Sequence, residues 1–225
     1  MKNYDIQLFS QLDEPLKEQI NRYAKMVYFK KGDLPFFSDE LLKNFYIITQ
    51  GKIKAYQINL ENLKEQTLFI YRRGDMLDTI IVLDSKPHEL LYDAMEDTQA
   101  LQIPIEKVRE WINTNQAFNR EFFPYLASQM RHTEELSSDL SLYDTSHRLI
   151  KLLLQNINPQ NRLKYNLLQN LSNTEIAKLL GTVRHVIERH LKELREQKVI
   201  KTGKKSISVQ NIEKLLQKTK QMLLK

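Results

Sequence analysis

LSNTEIAKLLGTVRHVIERHLKELREQKV, residues 171–199, reads as two helices joined by a tight turn. Ser172 and Glu175 have the spacing of a capping box, in which hydroxyl and carboxylate each take a backbone N–H of the other's region. Ile176, Leu179 and Leu180 give the first helix an apolar stripe, and Gly181 provides the conformational freedom that a sharp exit needs. Val183, Ile187, Leu191 and Leu194 then recur at steps of four and three, so the second helix is predicted to turn them inward. Arg184, His185, Glu188 and Arg189 are left on its outer face.

Working outward, the charge is divided along the chain. Residues 144–225 hold 17 Lys and Arg against 6 Asp and Glu, whereas residues 1–143 hold 17 against 22. The basic excess therefore lies with the helix-turn-helix, where it would attract a polyanion and release counterions on contact with phosphates. A lysine-rich solvated surface is the plain alternative. The 225 residues, 41% of them hydrophobic, suffice for one large domain or two ordinary ones. No apolar run approaches the roughly 20 residues that cross a bilayer, and MKNYDIQLFSQLDE is too polar for a signal peptide, so a cytoplasmic location without membrane association is expected. The absence of cysteine excludes disulfides, thiolate-held zinc and cysteine-ligated clusters. No catalytic motif occurs, no metal or cofactor is assigned to the five histidines, and the chain is read as not an enzyme.

N-terminal to this region the pattern changes twice. Residues 1–25 read as a short amphipathic helix with Leu16, Ile20, Tyr23 and Ala24 inward. From Met26 to about Pro104, short β-branched and aromatic runs (MVYF, NFYIITQ, KIKAYQIN, EQTLFIYR, TIIVL, TQALQIP) predict about eight alternating strands in an antiparallel sandwich or roll. Lys107 to Asn113 reads as a short helix. A long one is predicted from Phe118 or Phe122 to Leu142, with a kink or restart at Pro124. Leu126, Thr133, Leu136, Leu140 and Tyr143 follow a coiled-coil-like spacing, a seam whose partner is either the chain's own β-domain or, as a helix of this length between two domains favours, the same helix of a second copy, which makes it a dimerisation seam. After the capping residues at 144–146, Leu149, Leu152 and Leu153 form an inner face. Beyond the helix-turn-helix, Val199-Ile200 and Ile207 to Val209 flank a Lys204-Lys205 turn as a hairpin wing. A last helix capped by Asn211 should bury Ile212, Leu215, Leu216 and Met222.

This order of parts resembles the cyclic-AMP receptor protein / fumarate-nitrate regulator (Crp/Fnr) family of transcription factors. The resemblance rests on Lys31-Gly32-Asp33, Tyr46-Ile47-Ile48 through Gly51, Gly74-Asp75, and the gapless run from Ser172 through Glu175, Ile176, Ala177, Leu180, Gly181, Arg184, Ile187, Arg189 and Leu191 to Leu194. It implies an α+β fold: a β-roll like the cyclic-nucleotide-binding jelly roll (1–117), a long dimerisation helix (118–143) and a winged helix-turn-helix (144–225). It also implies a homodimer on a roughly palindromic double-stranded DNA operator, with RNA polymerase as a further partner. Arg184 and Arg189 match DNA-contacting positions of the family, where arginine can offer two N–H groups to guanine. His185 stands where the two best-known members have glutamate, so their operators do not carry over. The expected DNA-contacting set is Ser172, Asn173, Arg184, His185, Glu188, Arg189, Lys204 and Lys205. Glu188 can accept from a cytosine or hold Arg184. Nucleotide-binding members carry Gly-Glu followed by Arg-Ser or Arg-Thr. Here Asp78-Thr79 replaces the first pair and no arginine occurs between Arg73 and Arg109, so cyclic AMP is not expected to bind in the usual mode, and Lys86 or His88 as a substitute phosphate partner is the lesser alternative. The effector, if there is one, is not specified. The competing reading is a roll that binds a ligand or protein, with a basic winged domain that grips RNA or an acidic partner.

Overall fold

The computed structural model describes residues 12–36, 38–161 and 163–223. They divide into two compact units: one holds residues up to 57 with 68–131, and the other holds 58–67 with 132 onward. Residues 1–11, part of the predicted first helix, lie outside the described residues.

The first unit begins with α1 (Glu14–Tyr23), capped by Asp13, whose carboxylate accepts the Leu16 N–H at 3.0 Å. Leu16 and Ile20 are buried. After β1 (Lys25–Phe29) and α2 (Ser38–Leu41) come β2 (Asn44–Gln50), β3 (Lys52–Ile58), β4 (Glu65–Arg72) and β5 (Met76–Leu77). A helical turn α3 (Thr79–Asp84) precedes β6 (Leu91–Ala94) and β7 (Thr98–Pro104). Two sheets result, in the orders β1-β7-β2-β5 and β4-β3-β6. In the first, antiparallel pairs such as Ile47 with Leu101 set the register, and a bulge follows Ile48. Gly51 (φ 88) turns β2 into β3; an added Cβ would lie 2.6 Å from the Asp97 carbonyl.

The predicted roll is present, with three corrections. Among the described residues it has seven strands rather than about eight. β2 and β3 each bury four consecutive residues instead of alternating. Helices cover the outer face of the first sheet, α1 against β7 and α4 (Ile105–Thr114) against β2, so that sheet is apolar on both sides. The run TIIVL is helical, not a strand: Thr79, Ile81 and Val82 are buried, and Arg109 donates from Nε to the Val82 carbonyl (3.0 Å) and from Nη2 to that of Ile81 (3.2 Å).

α5 (Gln116–Leu142) continues without a break through Pro124. Within the first unit its inner face is Phe118, Phe122, Tyr125 and Gln129. Tyr125 Oη donates to the Met76 carbonyl (3.0 Å) and accepts from the Met76 N–H (3.1 Å), and Thr79 Oγ1 donates to Gln129 Oε1 (2.9 Å). Met130 is 59% exposed and Phe123 47% exposed on the outer side.

The second unit contains the end of α5, α6 (Thr145–Asn156), α7 (Asn173–Leu179), α8 (Arg184–Glu196), β8 (Ile200–Gly203), β9 (Ser206–Val209) and α9 (Ile212–Leu223). Leu149, Leu152 and Leu153 of α6 are buried as predicted. On α9 only Leu215 of the expected face is buried; Ile212 and Leu216 are exposed, and the Met222 side chain lies outside the described residues. The 58–67 segment joins this unit through Glu65 with Lys178 (2.5 Å) and a Gln66 Nε2 hydrogen bond to the Leu179 carbonyl (3.2 Å).

An ionic cluster ties the end of α5 to α6. Lys151 Nζ meets Glu135 at 2.9 Å and Asp139 at 2.7 Å, while Lys164 Nζ meets Glu135 at 2.7 Å and Gln155 Oε1 at 2.9 Å. Burial alone would raise the Glu135 carboxyl, but hydrogen bonds from Lys164 and Lys151 overcome it and hold the group at about 2. This stability is present above the ordinary value of 4.5 and is lost as pH falls toward 2. Glu135→Ala is expected to lower stability by about 1–2 kcal/mol at neutral pH, because Lys164 is left buried with a weaker partner set. In urea titrations the deficit should shrink steadily below pH 4.5.

Candidate nucleic-acid interface

The capping box predicted from Ser172 and Glu175 is formed. The Glu175 N–H donates to Ser172 Oγ at 3.2 Å, and the Ser172 N–H donates to the Glu175 carboxylate. It starts α7 and places Asn173 in its first turn. At the other end Gly181 adopts φ 63, and a Cβ there would lie 2.6 Å from Leu140 Cδ2 and 2.7 Å from Gln66 Oε1. α8 follows after two residues. Ile187, Leu191 and Leu194 are buried, whereas Val183, expected inside, is 48% exposed because it is the N-cap and precedes the helical phase.

The outward row of α8 contains Arg184, His185, Arg189 and Lys192, all exposed. Glu188 Oε1 accepts from Arg184 Nε at 2.6 Å and from Asn173 Nδ2 at 3.5 Å, so three of the predicted site residues meet. The Glu188 carboxyl is held below its usual range by the Arg184 hydrogen bond, with Asn173 and His185 adding to it. The wing is the β8–β9 hairpin, in register from Ile200–Val209 to Gly203–Ser206. Lys204 and Lys205 are exposed at its turn, and Lys205 takes a left-handed conformation (φ 54).

Between α8 and the wing lies a groove of about 530 Å³. Asn173, Glu188, Lys192, Arg195 and Lys205 supply its polar wall, with Ile207 among its apolar residues. Ser172 lines it as well, whereas Arg184, His185, Arg189 and Lys204 lie outside it. Arg195, absent from the predicted set, donates to Thr202 Oγ1 at 3.3 Å. Its signal in the sequence is the step of seven from Glu188, two turns along one helix face.

The roll carries a second polar cluster, in the segment where a nucleotide ligand would need its partners. Asp78 enters α3 in a left-handed conformation (φ 45) and makes no side-chain cap. Its buried carboxylate instead accepts from the Tyr92 hydroxyl and meets His88 Nδ1 at 2.9 and 3.1 Å. His88, with Lys86 the lesser alternative for a phosphate partner, is therefore bound to an internal anion. The Asp78 hydrogen bond raises the His88 pKa, burial opposes it, and the charges of Asp78 and Asp84 add to the rise. Burial, followed by Asp78 and Tyr71, pushes the Tyr92 hydroxyl well up. The pair stabilises the fold fully below 6.5 and fades as pH rises through the higher pKa of folded His88. Thermal melts from pH 5.5 to 9 should show the wild type losing its advantage over His88→Asn with rising pH; a pH-independent difference would contradict the pairing.

Among the described residues no helix is long and apolar enough to cross a membrane, and no group of three or more His, Cys, Asp or Glu side chains could hold a metal ion. The cyclic nucleotide-binding domain family matches residues 26–115, and the Crp-like helix-turn-helix domain family matches residues 147–218. A CRP-like cAMP-activated global transcriptional regulator of Mycobacterium tuberculosis is 24% identical over 204 residues, which cover 89% of this chain and 91% of that protein. The global nitrogen regulator of Synechococcus elongatus is 26% identical over 190 residues, 81% of this chain and 84% of the relative. The fold is shared with a CooA variant from Carboxydothermus hydrogenoformans (TM-score 0.75, 19% identity, 97% of each chain). It is also shared with FixK2 from Bradyrhizobium japonicum (TM-score 0.73, 21% identity, 86% of this chain and 96% of that one).

Proposed function

The chain belongs to the Crp/Fnr family of transcription regulators, and from that premise we propose that it acts in the cytoplasm as a homodimer on a roughly palindromic DNA operator. The observation that carries this reading is the exposed cationic row of α8 beside a basic groove closed by the wing. Arg184, His185, Glu188 and Arg189 face the major groove, while Ser172, Asn173, Lys204 and Lys205 hold the flanking backbone. Leu126, Thr133, Leu136 and Leu140 of α5 supply the dimer seam. Exposed Met130 and Phe123 widen it, and Tyr143, stacked on His147 at 4.3 Å, borders it. RNA polymerase is a partner of the same reading: the 59–65 tip, polar by composition, exposes Leu60 and Leu63.

On a duplex enriched from a random library, Arg189→Ala should abolish most of the preference over random DNA, whereas Lys204→Ala should weaken all duplexes alike and reduce the salt slope by about 1. Footprints should span two half-sites about 34 Å apart. Equal losses on selected and random DNA for Arg189→Ala would remove it from base reading. Retained binding to structured RNA with no duplex binding would favour the competing RNA reading.

Cyclic-AMP activation belongs to the name of the mycobacterial relative and is not carried over. In this chain Asp78 presents a buried carboxylate, which would repel a phosphate, and His88 is engaged with it. The roll on this reading responds to another signal or to none. Calorimetric titration with cyclic AMP is expected to show no saturable binding up to about 1 mM; micromolar affinity would overturn the assignment.

A further inference from the structure

The contact between Glu188 and Arg184 does more than neutralise a surface charge. A guanidinium has five N–H donors, one on Nε and four on the terminal nitrogens. Glu188 occupies Nε, at 2.6 Å, and thereby leaves the outer edge with Nη1 and Nη2 as a two-pronged fork. That edge is the one that matches guanine O6 and N7. The same carboxylate oxygen is also reached by Asn173 from the start of α7, at 3.5 Å. An ordinary i,i+4 pair floats on one helix; this one has an anchor on a second helix, which limits the rotamers open to Glu188 and through it to Arg184.

Electrostatics points the same way. A bare carboxylate on a surface that approaches phosphates would be repelled, and Glu188 lies at the edge of the basic groove. Paired with Arg184 it is neutral as a unit, and Arg189 one residue on is left as a separate cation.

We propose that Glu188 is a positioning residue for DNA recognition, which holds Arg184 by Nε so that the terminal fork of Arg184 is pre-aimed at a guanine. This rests on the DNA-reading function above and assigns the two side chains different roles: Arg184 touches the base, and Glu188 acts through Arg184.

The test uses the full-length protein and its selected duplex, with every base pair of one half-site substituted in turn. Glu188→Ala should reduce discrimination at the base pair that Arg184→Ala also affects, by about threefold to tenfold, the range that freezing one long side chain is worth. Glu188→Gln keeps an acceptor for Nε and should retain most of the discrimination. In the Arg184→Ala background, Glu188→Ala should cause no further loss. A change of preference at a different base pair, or an undiminished effect in the Arg184→Ala background, would show that Glu188 reads a base itself and overturn the assignment. No effect of Glu188→Ala at any position would reduce the pair to a surface contact and overturn it equally. If the wild type selects no duplex at all, the DNA-reading function fails first and takes the assignment with it.

Discussion

Gly181 leaves α7 in the left-handed region, and the space for a side chain there is already taken by Leu140 and Gln66. Its φ of 63 fixes where α8 starts, and the start fixes which residues point inward. With Ile187, Leu191 and Leu194 committed to the core, Arg184, His185 and Arg189 have no choice but solvent. The exposed cationic face of α8 is thus set by a backbone constraint and by apolar burial, not by the charged residues that compose it. Charge enters at the next level, where Glu188 and Asn173 organise one of the exposed arginines.

The two partly buried ionic arrangements serve different ends. Glu135, Asp139, Lys151 and Lys164 join the last turns of α5 to α6, so the winged region inherits its orientation on that helix end from charge pairs as well as from leucines. Such a cluster has a low cost per bridge, because Lys151 and Lys164 share Glu135 and its ordering entropy. In the roll, Asp78 is surrounded by its own hydroxyl and imidazole partners. The adjacent Thr79 reaches Gln129 of α5, so the segment that family members use for a ligand is here connected to the long helix by the chain's own hydrogen bonds.

Legibility in the sequence followed the range of the interactions concerned. The capping box, the inner row of α8 and the wing rest on residues within a few positions of one another, and all were readable. The TIIVL run was not, since a short apolar stretch fits a strand or a helix equally well. Arg109, distant in sequence, decides it by capping the Ile81 and Val82 carbonyls. Alternation in β2 failed for a related reason: helices from elsewhere in the chain pack on its sheet and cover what would otherwise be a wet face. Val183 was misplaced because periodicity cannot tell the N-cap from the first turn.

Chain chemistry alone determined the roll, the long helix, the winged helix-turn-helix and which charged residues lie on the outer face of α8, because periodicity and capping are local and the charge split needs only counting. Tertiary structure alone decided that Arg195 and Lys205 share one groove, that Asp78 captures His88, and that Asn173 reaches Glu188. Each of these joins residues through a turn whose geometry depends on packing, and no spacing rule specifies which side chain will be nearest once the core has closed.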